Sequence, residues 1–218
     1  GESHAGAAAV AERAALWDCT ASVEGKFISA RPVDTAKIAD GYALYTEEDL
    51  GRKLTYVEAS RGCPFGCEFC LSSLDRTVRD FPLELFLRRM EELIARGAKA
   101  FKFLDRSFNL DVRRARAVME FFLERLSPPA YVHFEMVPSR FPAELREVLE
   151  RFVPGTLRLE VGIQTFNPEV ARTIGRPSDP EKELEVLDFL RRRTNAVVHA
   201  DLIAGLPGED FASFGRGF

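Results

Sequence analysis

From residue 54 onward, short runs of β-branched and aromatic residues alternate with longer runs that have a helical period. The short runs predict strands at residues 54–60, 99–105, 130–137, 156–164 and 196–206. The longer runs predict helices at about residues 82–96, 111–126, 142–152, 168–174 and 181–193. This order indicates five β-α units around a parallel sheet, either a partial (β/α) barrel or an open doubly wound sheet.

Polar residues fall on one face of these predicted strands, because side chains alternate between the two faces of a strand. In the fourth strand Glu160 shares a face with Gln164, and His133 and His199 occupy equivalent polar positions in the third and fifth. Parallel α/β folds place their chemistry at the carboxyl ends of the strands. The polar residues expected there are Asp105, Arg106, Glu135, Gln164 and Asp201.

The first 53 residues follow a different pattern. Residues 7–17 predict a helix, whereas residues 18–53 are rich in turn-forming residues and predict a linker. We therefore divide the chain into 1–17, a linker at 18–53 and a main α/β domain at 54–218. Because position 1 is Gly and the helix of the fifth unit has barely begun at Phe218, we expect a piece of a longer polypeptide with a further α/β domain upstream.

Composition excludes some partners. The chain has 218 residues and a net charge of −4, which gives no reason to expect nucleic acid or an anionic membrane surface as a partner. No apolar run approaches the roughly 18–20 residues that span a bilayer, and no leader pattern is visible at the first residues. These features predict a cytoplasmic protein.

Three of the four cysteines lie in the run RGCPFGCEFC at residues 61–70, with the spacing C-x3-C-x2-C. Three thiolates on one loop suit three irons of a [4Fe–4S] cube and leave the fourth iron open. A zinc site is an alternative, although no fourth ligand lies nearby. Unligated core cysteines are another alternative. We expect the distant Cys19 to be an ordinary thiol.

The motif Cys63, Cys67 and Cys70 after the first strand, with Phe69 before the last cysteine, resembles the radical S-adenosylmethionine (SAM) superfamily. Two further segments, IQTFNPEVARTIGR and HADLIAGLPGED, resemble the oxygen-independent coproporphyrinogen oxidase branch. The runs SRGCPFGCEFCLSS, FKFLDRSFN and HFEMVP resemble radical SAM proteins that follow a cobalamin-binding domain, and residues 1–17 resemble the tail of such a domain.

The resemblance implies a role for each matching residue. Cys63, Cys67 and Cys70 would ligate the cluster, and the main chain around Phe69 would contact the adenine of SAM. Asp105 and Arg106 stand where many members have Gly-Gly-Glu, which receives the amino group of SAM. Glu135, Gln164 and Asp201 would bind the ribose and amino acid portions of SAM. Arg176 would pair with the carboxylate of SAM.

The implied activity is reductive cleavage of SAM to a 5′-deoxyadenosyl radical that abstracts hydrogen from an unidentified substrate. The implied cofactors are a [4Fe–4S] cluster, SAM and, through an upstream domain, cobalamin. A low-potential electron donor such as flavodoxin or ferredoxin would be the partner. Alternatives are a coproporphyrinogen-oxidase-like or methylthiotransferase-like enzyme without cobalamin, an electron-carrying cluster protein, and an inactive remnant.

Overall fold

The computed structural model describes residues 21–24, 27–30, 33–74 and 76–218. Two compact units divide the chain, Gly1–Ala39 and Asp40–Phe218. The predicted helix at residues 7–17 and Cys19 lie outside the described residues. Within the described part, no helix is long and apolar enough to cross a membrane.

The first unit contains a β-hairpin. Strands β1 (Ala21–Glu24) and β2 (Phe27–Ala30) pair antiparallel, and a 3-10 turn follows at Thr35–Lys37. Asp34 caps this turn, because its carboxylate accepts a hydrogen bond from the backbone N–H of Ala36 at 3.0 Å.

The second unit is built on a five-stranded parallel sheet with the order β3-β6-β7-β8-β9. Its strands are β3 (Thr55–Val57), β6 (Ala100–Phe103), β7 (Tyr131–Met136), β8 (Leu157–Gln164) and β9 (Val197–Leu202). A short antiparallel pair, β4 (Ser60–Arg61) and β5 (Arg79–Asp80), stands apart from this sheet. The predicted parallel α/β fold is confirmed, and the sequential strand order is that of a partial barrel.

The helices follow the strands in the predicted order. They are α1 (Glu47–Arg52), α2 (Leu83–Ala95), α3 (Val112–Arg125), α4 (Ala143–Leu149), α5 (Pro168–Thr173), α6 (Pro180–Arg193) and α7 (Phe211–Gly217). Side-chain caps start several of them: Asp111 accepts from the N–H of Arg114, and Asp179 accepts from that of Lys182. The 3-10 turns of this unit are Gly41–Leu44 and Leu71–Leu74.

One face of the sheet packs against the helices and is apolar except for Thr55 of β3. Burial alternates along β7 and β8, as the period of two requires. Phe103 lies at the centre of the core, with Phe86, Phe108, Phe122 and Phe134 at ring-centroid distances of 4.7–5.7 Å. Each buried ring of this kind contributes about 1.5–3 kcal/mol through loss of water contact. The opposite face of the sheet is left for polar residues.

The sheet unit begins at Asp40, before residue 54, where the sequence pattern sets the start of the domain. Leu50 of α1 is buried in the core. The hydroxyl of Tyr42 accepts from the N–H of Glu58 at 3.0 Å and donates to its carbonyl, and the hydroxyl of Tyr45 does the same at Tyr56. These two hydroxyls satisfy backbone groups along the outer edge of the sheet at β3. Burial raises the pKa of Tyr42 to about 12.

Candidate radical SAM site

The cysteine loop leaves and re-enters the fold through the β4/β5 pair, in which Ser60 pairs with Asp80 and Arg61 with Arg79. Gly62 begins the loop with φ +99°, and a Cβ there would lie 2.0 Å from the carbonyl oxygen of Thr77. No residue with a side chain fits this position without displacing the backbone opposite it. The β4/β5 pair therefore brings the two ends of the loop together.

The loop itself packs against the turn after α5. The N–H of Glu68 donates to the carbonyl of Ile174 at 3.0 Å, and a Cβ on Gly175 would lie 3.0 Å from the carbonyl oxygen of Gly66. Cys67 is buried, whereas Cys63 and Cys70 are half-buried, and all three are free thiols. Burial raises the pKa of the Cys63 thiol. The contact with the α5 turn places Arg176 beside the cysteines.

A cavity of about 450 Å³ opens between this loop and the polar face of the sheet. The residues predicted for the site line it, with the exception of Asp105: Cys63, Cys67, Phe69, Cys70, Arg106, Glu135, Gln164, Arg176 and Asp201. Glu160 also contributes to the lining, and Phe65, Met136, Val137 and Pro138 supply an apolar part. The volume lies within the ordinary range for small-molecule sites, which is roughly 300–1,000 Å³.

Carboxylates dominate the sheet side of the cavity. Glu135 is half-buried and accepts from Nη1 of Arg106 with both carboxylate oxygens, at 3.0 Å each. Burial raises the pKa of Glu135 and is opposed by Arg106, while Glu160 adds to the rise. Burial and the charge of Glu160 also raise the pKa of Asp201. The three carboxylates repel one another, and a cationic group bound among them would relieve that repulsion.

The end of β8 has an unusual backbone. Gln164 has φ +73°, a value rare for residues other than glycine, and a β-bulge separates its register from that of Gly162. A Cβ on Gly162 would lie 2.6 Å from Nε2 of Gln164. The guanidinium of Arg176 donates to the carbonyl of Gly162, and its Nε is buried without a hydrogen-bond partner among the described residues. Strained backbone and an unused buried donor are typical of ligand sites.

The sequence model that describes the Radical SAM superfamily matches residues 57–216 of this chain. The chain belongs to the radical SAM superfamily.

Among relatives, the chain is 26% identical over 169 residues to ribosomal protein uS12 methylthiotransferase RimO of Gloeobacter violaceus, covering 74% of this chain and 38% of the relative. It is 35% identical over 86 residues to oxygen-independent coproporphyrinogen III oxidase of Bradyrhizobium diazoefficiens, covering 39% of this chain and 19% of that protein.

Among solved structures, the radical SAM methyltransferase TsrM of Kitasatospora setae has a TM-score of 0.64 at 21% identity, covering 77% of this chain and 33% of that one. The cobalamin-dependent radical enzyme OxsB has a TM-score of 0.69 at 14% identity, covering 90% of this chain and 31% of that one. These likenesses confirm the fold. The chain thus spans well under half the length of these relatives.

The radical SAM family implies a [4Fe–4S] cluster and SAM, and the donor set fits them. Three free thiols on one loop line the same cavity as the polar residues, and no other cysteine is present among the residues that the structure describes. Among the described residues, no three His, Cys, Asp or Glu side chains converge on the position of a single metal ion.

Asp105 lies apart from the other residues predicted for the site. Its side chain is buried, and it accepts from the N–H of Ala59 at 2.9 Å and from both the N–H and the hydroxyl of Ser60 at 2.5 and 2.7 Å. Burial raises the pKa of Asp105 to about 6. It lines a different cavity, and its hydrogen bonds are with the chain that enters the cysteine loop.

Sequence reasoning missed Arg114. Its Nη2 donates to the carbonyls of Ala59 and Phe81, at 2.8 and 2.5 Å, and thereby joins the strand before the cysteine loop to the chain after it. The sequence gives no signal of this contact. An arginine near the start of an amphipathic helix fits the same spacing of polar and apolar residues whether its side chain is solvated or bound to a distant carbonyl.

Proposed function

We propose that this chain is the core of an enzyme that reductively cleaves SAM at a [4Fe–4S] cluster held by Cys63, Cys67 and Cys70. The observation that carries the proposal is the single cavity in which the three free thiols meet Glu135, Arg176 and the other polar residues from separate strands. A cluster protein that only carried electrons would have no need of that polar lining.

When bound, the reduced cluster supplies one electron that breaks the sulfur–carbon bond of SAM, which yields methionine and a 5′-deoxyadenosyl radical. Arg176 offers its unused Nε to the carboxylate of SAM, since a guanidinium suits that group. Glu135 and Asp201 accept from hydroxyl or ammonium groups, and Gln164 supplies an amide at the end of β8. The main chain around Phe69 faces the adenine, next to the apolar part of the lining.

Cobalamin is a second cofactor that we propose for the complete enzyme. Its support is structural: OxsB, named as cobalamin-dependent, has a TM-score of 0.69, whereas coproporphyrinogen III oxidase of Escherichia coli has 0.54. Methylthiotransferase-like and coproporphyrinogen-oxidase-like chemistry without cobalamin remain the competing proposals, supported by the sequence relatives. The proposal also requires a low-potential electron donor and a reducing, cytoplasmic compartment.

The first test concerns the cluster. Anaerobic reconstitution should give about four irons per chain. Alanine at Cys63, Cys67 or Cys70 should abolish iron binding, whereas Cys19→Ala should not. Stoichiometric zinc in protein purified without oxygen would contradict the proposal.

The second test concerns SAM. With dithionite and SAM, the reconstituted protein should form 5′-deoxyadenosine. Arg176→Gln should weaken SAM binding about tenfold or more without reducing iron content. The matched control is Arg172→Gln, because Arg172 is exposed on α5 and pairs with Glu169. Equal SAM affinity of the two variants would reject the assigned role of Arg176.

A further inference from the structure

Three basic side chains stand in one row on the polar face of the sheet. Lys102 of β6 is in register with His133 of β7, which is in register with Arg158 of β8. Neighbouring strands lie about 4.8 Å apart, so the three side chains are adjacent. We call Lys102, His133 and Arg158 the basic row.

The charge of the basic row is only partly balanced. Nζ of Lys102 lies 3.0 Å from Oε2 of Glu160. The guanidinium of Arg158 lies 3.8 Å from the ring centre of Tyr131, and no carboxylate among the described residues is within ion-pair distance of it. Within the described part of the chain, Arg158 therefore has no counter-charge.

His133 carries an unused hydrogen-bonding atom. Its Nε2 is buried and has no hydrogen-bond partner among the described residues, although Oε2 of Glu160 lies 3.4 Å away outside hydrogen-bonding alignment. Burial, together with the charges of Lys102, His199 and Arg158, lowers the pKa of His133 to about 4 against the opposing charge of Glu160. The ring is therefore neutral at pH 7 and lies in a positive local field.

The row lies directly below the cavity. Glu135 and Glu160 form the next register pair toward the carboxyl ends of the strands, and both line the cavity. Two residues of a strand span about 7 Å, so that is the separation between the basic row and this pair. None of the row residues is among the described residues that line the cavity, so a substrate meets the row only where it extends past Glu135 and Glu160.

We propose that the basic row binds an oxyanion, a carboxylate or a phosphate, on the substrate that gives up a hydrogen atom to the radical. Arg158 offers two parallel N–H donors, Lys102 a second positive charge and His133 the unused Nε2. This inference rests on the proposed function, because it takes the cavity above the row as the SAM site.

The test uses the histidine ring signals in nuclear magnetic resonance, which is practical because the chain contains three histidines. His133→Gln and His199→Gln assign the signals in reconstituted protein with an oxidised cluster. The probes are inorganic phosphate and succinate at millimolar concentration. Without a probe, His133 should not titrate between pH 5 and pH 8. With a bound oxyanion its pKa should rise toward the ordinary value of about 6.5 and enter that range.

Variants show whether the response belongs to the row. Arg158→Gln should weaken probe binding about tenfold, and Arg158→Lys should recover only part of it, because the charge is kept but the two parallel donors are lost. The control is Arg191→Gln, an exposed arginine that lies on α6 and pairs with Asp188. Tighter binding of phosphate than of succinate assigns a phosphate substrate, and the reverse order assigns a carboxylate.

Two results would overturn the inference: no change at His133 with either probe, or an unchanged response in Arg158→Gln. Formation of 5′-deoxyadenosine is measured on the same samples. Cleavage of SAM without an oxyanion response rejects the basic row alone. An oxyanion response without SAM binding or cleavage rejects the proposed function, and with it the assignment of the oxyanion to a substrate.

Discussion

The buried carboxylate of Asp105 should govern the stability of the strand that leads into the cysteine loop. It accepts three hydrogen bonds, two on Oδ1 from Ser60 and one on Oδ2 from the N–H of Ala59. Asp105→Asn keeps one acceptor oxygen and turns the other into a donor. At least one buried N–H then lacks a partner, which costs about 1–3 kcal/mol.

Asp105→Ala removes all three acceptor contacts, and we expect the free energy of unfolding to fall by about 3–5 kcal/mol. Hydrogen bonds to charged groups contribute more than neutral ones, whereas removal of a buried charge restores part of the loss. The assay is urea unfolding followed by circular dichroism at neutral pH under reducing conditions, with iron content measured after reconstitution. Both variants should also bind less iron, because the strand before Cys63 loses its anchor.

The matched control is Asp111→Asn. Asp111 is exposed and caps α3, a position where asparagine is about as favourable as aspartate. Its free energy of unfolding should therefore stay within about 0.5 kcal/mol of the wild type. If Asp105→Asn changed stability as little as Asp111→Asn, the anchoring role of Asp105 would be refuted.

Three other outcomes are expected. Gly62→Ala should lose iron binding and stability, because a Cβ would lie 2.0 Å from the carbonyl oxygen of Thr77, whereas Gly51→Ala, in open space on α1, should stabilise the protein by about 0.5–1 kcal/mol in urea unfolding. Phe134→Ala should cost about 3–5 kcal/mol in the same assay, and a loss below about 1 kcal/mol would contradict its place in the core. Because the pKa of His133 is lowered in the folded state, its contribution to stability is complete above about pH 6.5 and is lost as the pH falls toward about 4. The difference in the free energy of unfolding between wild type and His133→Gln should follow that change. A difference that stays constant from pH 7 to pH 4 would count against this expectation.

Periodicity predicted the parts of this fold that depend on one strand or one helix at a time. The alternation in β8 was enough to identify its apolar face, because burial follows the same period. The cysteine spacing and the strand ends likewise predicted which residues meet at the cavity, since parallel strands bring their carboxyl ends to one edge.

Contacts between distant parts of the chain could not be predicted in the same way. Asp105 accepts from residues 45 and 46 positions earlier, so its position at a strand end suggested a cavity residue although its oxygens were already engaged. The turns between residues 40 and 53 are too short for a periodic pattern, and only the fold shows that Leu50 belongs to the core. A resemblance locates a residue in a motif, but the partners of its side chain depend on the packing.

The hydroxyls of Tyr42 and Tyr45 restrict where another strand can pair with this sheet. Each phenol takes one N–H and one carbonyl that a neighbouring strand would otherwise use, so a further strand cannot pair along β3 without displacing them. In the described residues no side-chain hydroxyl takes the same position along the outer edge of β9. The outer edge of β3 is therefore closed to a further strand, whether that strand belongs to the same polypeptide or to another.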